Sequence, residues 1–385
     1  MENITASANL DKLIAQGENS GLEFKSVKVS VDKIAKEFVA FSNSQGGILL
    51  LGVEDNGDIT GVEESNKNYE EWITNIARNN VNPPIDIEIE QIHYHNKLIY
   101  KVEIAKGKDK PYQTYKHQFL IRIGSTNRIA TQAELMRLFQ QSGVFHYDQI
   151  AVDRTSIKDL NLNKIDQYFD NYQIDFLQEE NHESILINTD ILTESGQATI
   201  AGLLIFGINP QRYLHNASIS FAHFAGSDIT EELIDKQVVT GNLDFQIDTM
   251  LAIIKNNILN PSIIKGAKTV NTNFIYPDKV FRELLVNACV HRNYAISGSR
   301  IRIFMYDDRI EFISPGRLPN SVSIEKIKLG VSYAPNPIIV KFMENLRYID
   351  KLGRGLPMVY RTAKQQNKEV IFQEIGEEFS VTLPF

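Results

Sequence analysis

Cysteine is nearly absent: Cys289 is the only one in 385 residues. A single thiol excludes an internal disulfide framework and any multi-cysteine zinc site. No run of 18 apolar residues occurs, so no membrane-spanning helix is expected. The opening residues, MENITASANLDKL, lack both a basic stretch and an apolar stretch, so no secretory signal is read there. Internal repeats and low-complexity tracts are missing too, and a cytoplasmic protein is the expectation. Net positive charge is also lacking. Forty-eight acidic residues outnumber 40 basic ones, for a net charge of −8. This excludes a protein that is basic all over, but it leaves room for a local basic stripe.

With 43% hydrophobic and 23% charged residues, the composition is that of a globular chain long enough for two domains. An α+β fold is expected. Residues 1–145 read as a first mixed α/β domain, 146–182 as a polar, partly helical connector, and 183–385 as a second domain. In the first, helices are predicted over 5–16, 31–43, 66–80 and from the capping Thr131 to about 140. Strands are predicted at 21–25, 48–53 and 119–123, with a hairpin through 85–92 and 98–104. In the second, 198–208 is a buried helix or strand, and 217–224 alternates as a strand. Helices are predicted at 242–259, 278–292, 336–346 and 355–366. Strands are predicted at 300–305, 309–313 and 378–384.

Glu18, Glu23, Lys25 and Asp55 are the candidate chemistry of the first domain. Glu23 and Lys25 lie two apart on a predicted strand and so share a face. Asp55 follows the next strand. Carboxylates converging at strand ends can hold Mg²⁺ or Mn²⁺, and a nearby lysine can stabilise charge on a scissile phosphate. The alternative is a surface Glu23–Lys25 pair and an ordinary turn at Asp55. With Glu23 at a strand end, its loss is expected to leave folding intact. Downstream, residues 101–128 carry seven basic residues against Glu103 and Asp109. Among them Lys106, Lys108, Lys110, Arg122 and Arg128 are candidate phosphate contacts. A solvated hairpin surface is the alternative. The Gly46-Gly47 pair serves either a tight turn into the strand or close approach of a ligand.

In the second domain, Glu283, Asn287 and His291 recur every four residues and fall on one helix face. That polar stripe runs among Leu284, Leu285, Val286, Ala288, Cys289 and Val290. It needs a partner, which a nucleotide with Mg²⁺ would supply. The alternative is the solvent-facing side of an amphipathic helix.

The pattern Glu18-x4-Glu23-Phe-Lys25, followed by Phe41-Ser-Asn43-Ser-Gln-Gly46-Gly47-x4-Leu51-Gly52-Val53-x-Asp55-x-Gly57-x3-Gly61, resembles the Schlafen/Alba-type domain. The resemblance implies a metal site at Glu18, Glu23 and Asp55, with Glu54 as the alternative to Asp55. It also implies handling of RNA or DNA. The pattern Arg282-Glu283-Leu-Leu-Val-Asn287-Ala288…His291-Arg292-Asn-Tyr294, with Ser314-Pro315-Gly316-Arg-Leu318-Pro319, Asn336-Pro337 and Gly353-Arg354-Gly355-Leu356, resembles the divergent, RecG-associated branch of GHKL-type ATPases. Residues 199–210 resemble the same proteins. This second resemblance implies an α/β sandwich that binds ATP. Glu283 would activate water, Asn287 would bind the metal, and Gly353 and Gly355 would offer backbone N–H groups to phosphates. The usual D-x-G-x-G adenine-binding loop is replaced by Ser314-Pro-Gly-Arg-Leu-Pro, with no aspartate at the expected place. Relatives often continue into a winged-helix domain, whereas this sequence ends at Leu383-Pro384-Phe385.

Three functions follow as expectations. The first is a nucleotide-regulated, metal-dependent nuclease, with a place in bacterial defence. The second is a non-catalytic ATP- and DNA-binding transcriptional regulator. The third is a scaffold whose ATP site governs assembly. A homo-oligomer is expected throughout.

Overall fold

The computed structural model describes residues 10–62, 68–143, 145–259, 276–318, 322, 324–331, 333–349 and 354–385. The chain is α+β and divides into two units, Met1–Phe145 and His146–Phe385.

In the first unit, helix α1 covers residues 10–16 and leads into β1 (Leu22–Lys25). Helix α2 (Val31–Asn43) starts on Ser30, whose hydroxyl accepts the Lys33 N–H at 3.4 Å. Its Ile34, Phe38 and Phe41 follow helical spacing and are fully buried. Next come β2 (Gly47–Leu51), α3 (Tyr69–Asn79), β3 (Val81–Asn82), the hairpin β4 (Ile87–Tyr94) and β5 (Lys97–Ile104), and the short β6 (Gln113–Thr114). The second hairpin, β7 (Leu120–Ile123) and β8 (Thr126–Ile129), precedes α4 (Gln132–Gln141), which opens on a capping box of Thr131 and Glu134. The main sheet runs β1-β2-β5-β4, with β1 and β2 parallel and the other pairs antiparallel. The Gly46-Gly47 pair serves packing. Gly46 has φ +83°, and a Cβ there would lie 2.6 Å from the Ile104 carbonyl oxygen; one on Gly47 would overlap the Phe41 ring.

In the second unit, α5 (Leu162–Asp170), α6 (His182–Asn188) and the wholly buried α7 (Ile200–Phe206) precede β9 (Ile219–Phe224) and β10 (Leu233–Val239). Helices α8 (Leu243–Leu259) and α9 (Asp278–Val290) lead to β11 (Ile301–Met305) and β12 (Arg309–Pro315). Then follow α10 (Ile324–Lys328), α11 (Pro337–Asn345), α12 (Gly355–Gln365), β13 (Ile371–Ile375) and β14 (Glu378–Pro384). The sheet order is β10-β9-β11-β12-β14-β13, with only β9 and β11 parallel. Alternate residues such as Phe221, Ile303, Phe312 and Val381 face the helices and join one large core, which makes an α/β sandwich. The opposite parity gives a small cluster of Ala222, Phe224 and Tyr306 on the other face. Residues 146–182, expected as a connector, place Ile165, Tyr168, Phe169 and Phe176 in the large core. Among the described residues no helix is long and apolar enough to cross a membrane.

Candidate functional sites

Strand β1 carries Glu23 and Lys25 on one face, and the two side chains pair with each other. Glu23 is only 5% exposed, so it is buried, unlike the open strand end on which the expectation of its dispensability rested. Arg122 on β7 reaches the same point. One of its terminal nitrogens stands 2.5 Å from Glu23 Oε2, and the other 3.1 Å from Glu37 Oε2 on α2. Arg122 also donates to the carbonyls of Asn19 at 2.8 Å and Leu22 at 3.2 Å, and it lies 4.9 Å over the Phe41 ring. Asn127 donates to Glu37 at 2.7 Å, and Lys25 Nζ sits 3.8 Å from the other Glu37 oxygen. Two buried carboxylates thus face two cations, and the charges close on each other. Burial, followed by the charge of Glu23, raises the pKa of Glu37.

Glu18 stands beside this group. Its Oε1 accepts the Phe24 N–H at 3.0 Å. Partial burial raises its pKa, repulsion from Glu23 and Asp55 adds to the rise, and the Phe24 hydrogen bond and Lys25 oppose it. Asp55 is exposed at the start of a turn closed by Asn56 and Asp58. Glu18 therefore senses the charges of both other carboxylates. Among the described residues no three His, Cys, Asp or Glu side chains are placed to hold a metal ion. The expected ligands Glu18, Glu23 and Asp55 therefore form no such group as the side chains stand here. Both oxygens of Glu23 are taken by Lys25 and Arg122, one oxygen of Glu18 is taken by the β1 backbone, and this donor set does not fit a metal.

The basic stripe is thinner than its sequence suggests. Arg122 is interior and fully engaged, and Lys110 is 3% exposed with Nζ donating to the Ser44 carbonyl at 2.8 Å. Neither presents its charge to a phosphate. Lys101 and Lys116 pair with Glu90 and Asp32. Of the five candidate contacts, Lys108 and Arg128 are exposed and Lys106 partly so.

In the second unit, α9 sets Glu283, Asn287 and His291 one above the other, each half-buried, between fully buried apolar neighbours. Asn287 Nδ2 donates to Glu283 Oε1 at 2.6 Å and to the Glu283 carbonyl at 2.8 Å. Its amide oxygen takes no hydrogen bond from the described residues. A Cβ on Gly355 would overlap the Glu283 carboxylate. Glycine at this position lets the first turn of α12 sit directly against that carboxylate, where the helix end carries partial positive charge. Gly353 lies outside the described residues. A narrow slot of about 90 Å³ adjoins a wider cavity of about 490 Å³, and Asn287, His291, Ile327, Val331 and Leu356 line both. Glu283, Arg354 and Gly355 line only the wider one. Desolvation pushes the His291 imidazole down to about 4, against a hydrogen bond with the Tyr333 backbone. It is therefore neutral at pH 7.

Two buried groups hold this arrangement, Asn336, which the sequence pattern included without a role, and Asp148, which it did not include. Asn336 donates to the carbonyls of Val290 and Arg292, both at 2.8 Å, and so ties the end of α9 to the start of α11. Asp148 Oδ2 accepts the Ile338 and Ile339 N–H groups at 2.8 and 3.1 Å and caps α11. Burial pushes its carboxyl up to about 6, despite those two hydrogen bonds. The only sequence signal was Asn336-Pro337 at a helix start; the cap itself lies about 190 residues upstream.

Residues 18–131 match the family model described as "Schlafen, AlbA_2", and residues 298–383 match that described as "Putative ATP-dependent DNA helicase recG C-terminal". The chain thus joins a Schlafen/AlbA_2-type domain to a RecG-associated ATPase-type domain, a pairing that points to a nucleic-acid-related, ATP-binding protein. No curated protein matches. Among solved structures, the DIP2311 protein of Corynebacterium diphtheriae is similar at 18% identity and a TM-score of 0.47, over 98% of this chain and 68% of that one. The N-terminal domain of a RecG-related protein from Nitrosomonas europaea is similar at 23% identity and a TM-score of 0.25, over 33% of this chain and 93% of that one.

Proposed function

We propose that the C-terminal unit binds ATP and that the N-terminal unit engages a nucleic acid, holding it rather than cutting it. The observation that carries the nucleotide reading is the paired Glu283 and Asn287 at the start of α12, on the wall of two adjoining cavities. Phosphates suit the N–H groups of the first turn of α12. The open amide oxygen of Asn287 suits Mg²⁺, which keeps few protein ligands and takes the rest from phosphates and water. The N-terminal assignment rests on the domain type and on Lys106, Lys108 and Arg128 at the surface.

Calorimetry of the full chain with ATP and Mg²⁺ tests the first half. Binding that weakens in Asn287→Ala supports it, and equal affinity for both proteins moves the site elsewhere. One observation favours the nuclease as a second reading: Glu18 feels the charges of Glu23 and Asp55. Cleavage would require Glu23 to leave Lys25 and Arg122. Incubation with Mn²⁺ or Mg²⁺ and labelled RNA or DNA, with and without ATP, separates the two. Cleavage that disappears in Glu18→Ala would establish the nuclease.

A further inference from the structure

We infer that β13 is a docking edge for a second copy of this chain, and that the two strands pair antiparallel about a two-fold axis through Gln373. The inference stands independently of the nucleotide and nucleic-acid readings above. The two edges of the six-stranded sheet are β10 and β13. An edge strand offers unpaired backbone groups to other strands, and proteins blunt such edges with charge, proline or bulges. Strand β10 is blunted in this way: its register shifts between Leu233 and Asp235, and Asp235 and Lys236 sit mid-strand. Strand β13 is not. Ile371-Phe372-Gln373-Glu374-Ile375 contains no lysine, arginine or proline, and it pairs with β14 in one unbroken register. Its one charged side chain, Glu374, is committed to its own chain, where it accepts the Leu318 N–H at 2.7 Å.

The backbone phase of β14 shows which groups of β13 are open. The Gly316 N–H donates to the Glu377 carbonyl at 2.7 Å, and the Phe385 N–H donates to the Asp308 carbonyl at 2.7 Å. Odd-numbered positions along this stretch therefore bond toward β12, and Glu378, Ser380 and Thr382 bond toward β13. Their partners are Ile375, Gln373 and Ile371. The N–H and C=O groups of Phe372 and Glu374 point the other way, off the sheet, and no described residue bonds them there.

The side chains select the partner. Ile371 and Ile375 are 47% and 63% exposed, and Gln373 between them is exposed on the same face. That face reads the same in both directions: apolar, polar, apolar. An antiparallel copy centred on Gln373 sets Ile371 against Ile375 at both ends. It also sets each Phe372 opposite Glu374 of the other copy, where the two exchange both N–H···O bonds. No like charges meet in that register. A different strand would have to supply this pattern, whereas a second copy carries it already. A strand of five residues buries less than the roughly 1,200 Å² of a stable interface, so the pairing is weak and follows concentration.

Sedimentation of the full chain over a rising concentration series tests this. Wild type should pass from monomer to dimer. Ile371→Lys with Ile375→Lys opposes like charges and should leave a monomer of unchanged circular dichroism. Ile371→Glu with Ile375→Lys joins opposite charges only in this register and should still dimerise, less so in high salt. Gln373 faces its own copy in a non-hydrogen-bonded pair, where Cα atoms lie about 4.5 Å apart, within disulfide reach. Gln373→Cys should therefore cross-link into a covalent dimer on mild oxidation, Cys289 being buried. A wild type that stays monomeric at every concentration overturns the inference. A dimer that survives the two-lysine variant, with no cross-link through Gln373→Cys, belongs to another surface and overturns it too. Loss of the dimer in both charge variants overturns the register. If the two-lysine variant does not fold, the cross-link decides.

Discussion

The two units treat the same kinds of side chain in opposite ways. In the first, the carboxylates of Glu23 and Glu37 are met inside the protein by Lys25, Arg122 and Asn127. In the second, Glu283 and Asn287 pair with each other, but they do so on the wall of a cavity, with an amide oxygen left over among the described residues. A closed network stabilises or specifies a fold, whereas an open one has capacity left for a ligand. Polar residues on a sequence pattern therefore mark a site only when the structure leaves them something to bind.

The comparison breaks most visibly at Arg122. Removing one partner of a buried ion pair leaves charge stranded and costs about 3–5 kcal/mol. Arg122→Met should lower stability by that order in urea unfolding of the full chain; a loss below about 1 kcal/mol would mean the network is not closed as described. The matching change in the second unit should act on binding instead. Asn287→Ala should weaken ATP affinity by about tenfold, one hydrogen bond to a charged group, and shift the unfolding midpoint little. A large drop in stability with unchanged affinity would place Asn287 with the structural residues.

A third experiment uses pH. The Asp148 carboxyl is raised from 3.8 to about 6 in the folded chain. Between those values the folded state holds a proton that the unfolded state has released, so the contribution of Asp148 to stability falls as pH rises through that window and is flat above it. Asp148→Asn cannot titrate, and its amide oxygen still accepts from Ile338 and Ile339. Its stability relative to wild type should therefore climb from about pH 4 to about pH 6 and then level off. A difference independent of pH would mean that Asp148 is ionised throughout. The smallest effect concerns the surface. Charge reversal at Lys106, Lys108 and Arg128 should weaken oligonucleotide retention and reduce its dependence on salt, by about one unit of logarithmic slope per lost phosphate contact. Unchanged retention would reduce the stripe to a solvated surface.

Legibility in the sequence followed burial. Helix α2 was plain because Ile34, Phe38 and Phe41 recur on one side, and α9 because its polar stripe interrupts an apolar helix. Strands β10 and β13 were passed over. They are the two edges of their sheet, and runs such as Asp235-Lys236-Gln237 carry little apolar alternation. Arg122 was misread for a related reason. An arginine in a short strand among other basic residues looks like surface, and nothing local shows that its partner Glu23 lies 99 positions away. The polar stripe of α9 was legible as a stripe, while the slot beside it was not, because its walls come from β12, β14 and α12.

The Asp148 cap bears on how the protein can be divided. A fragment begun at residue 183, where the composition suggests the second domain starts, would leave the first N–H groups of α11 without their carboxylate. It would also strip Ile165, Phe169 and Phe176 from the core. Cut just before His146, the same fragment keeps both. The polar stretch that reads as a tether is thus a piece of the second unit's interior, and a shortened protein has to be dissected on its far side.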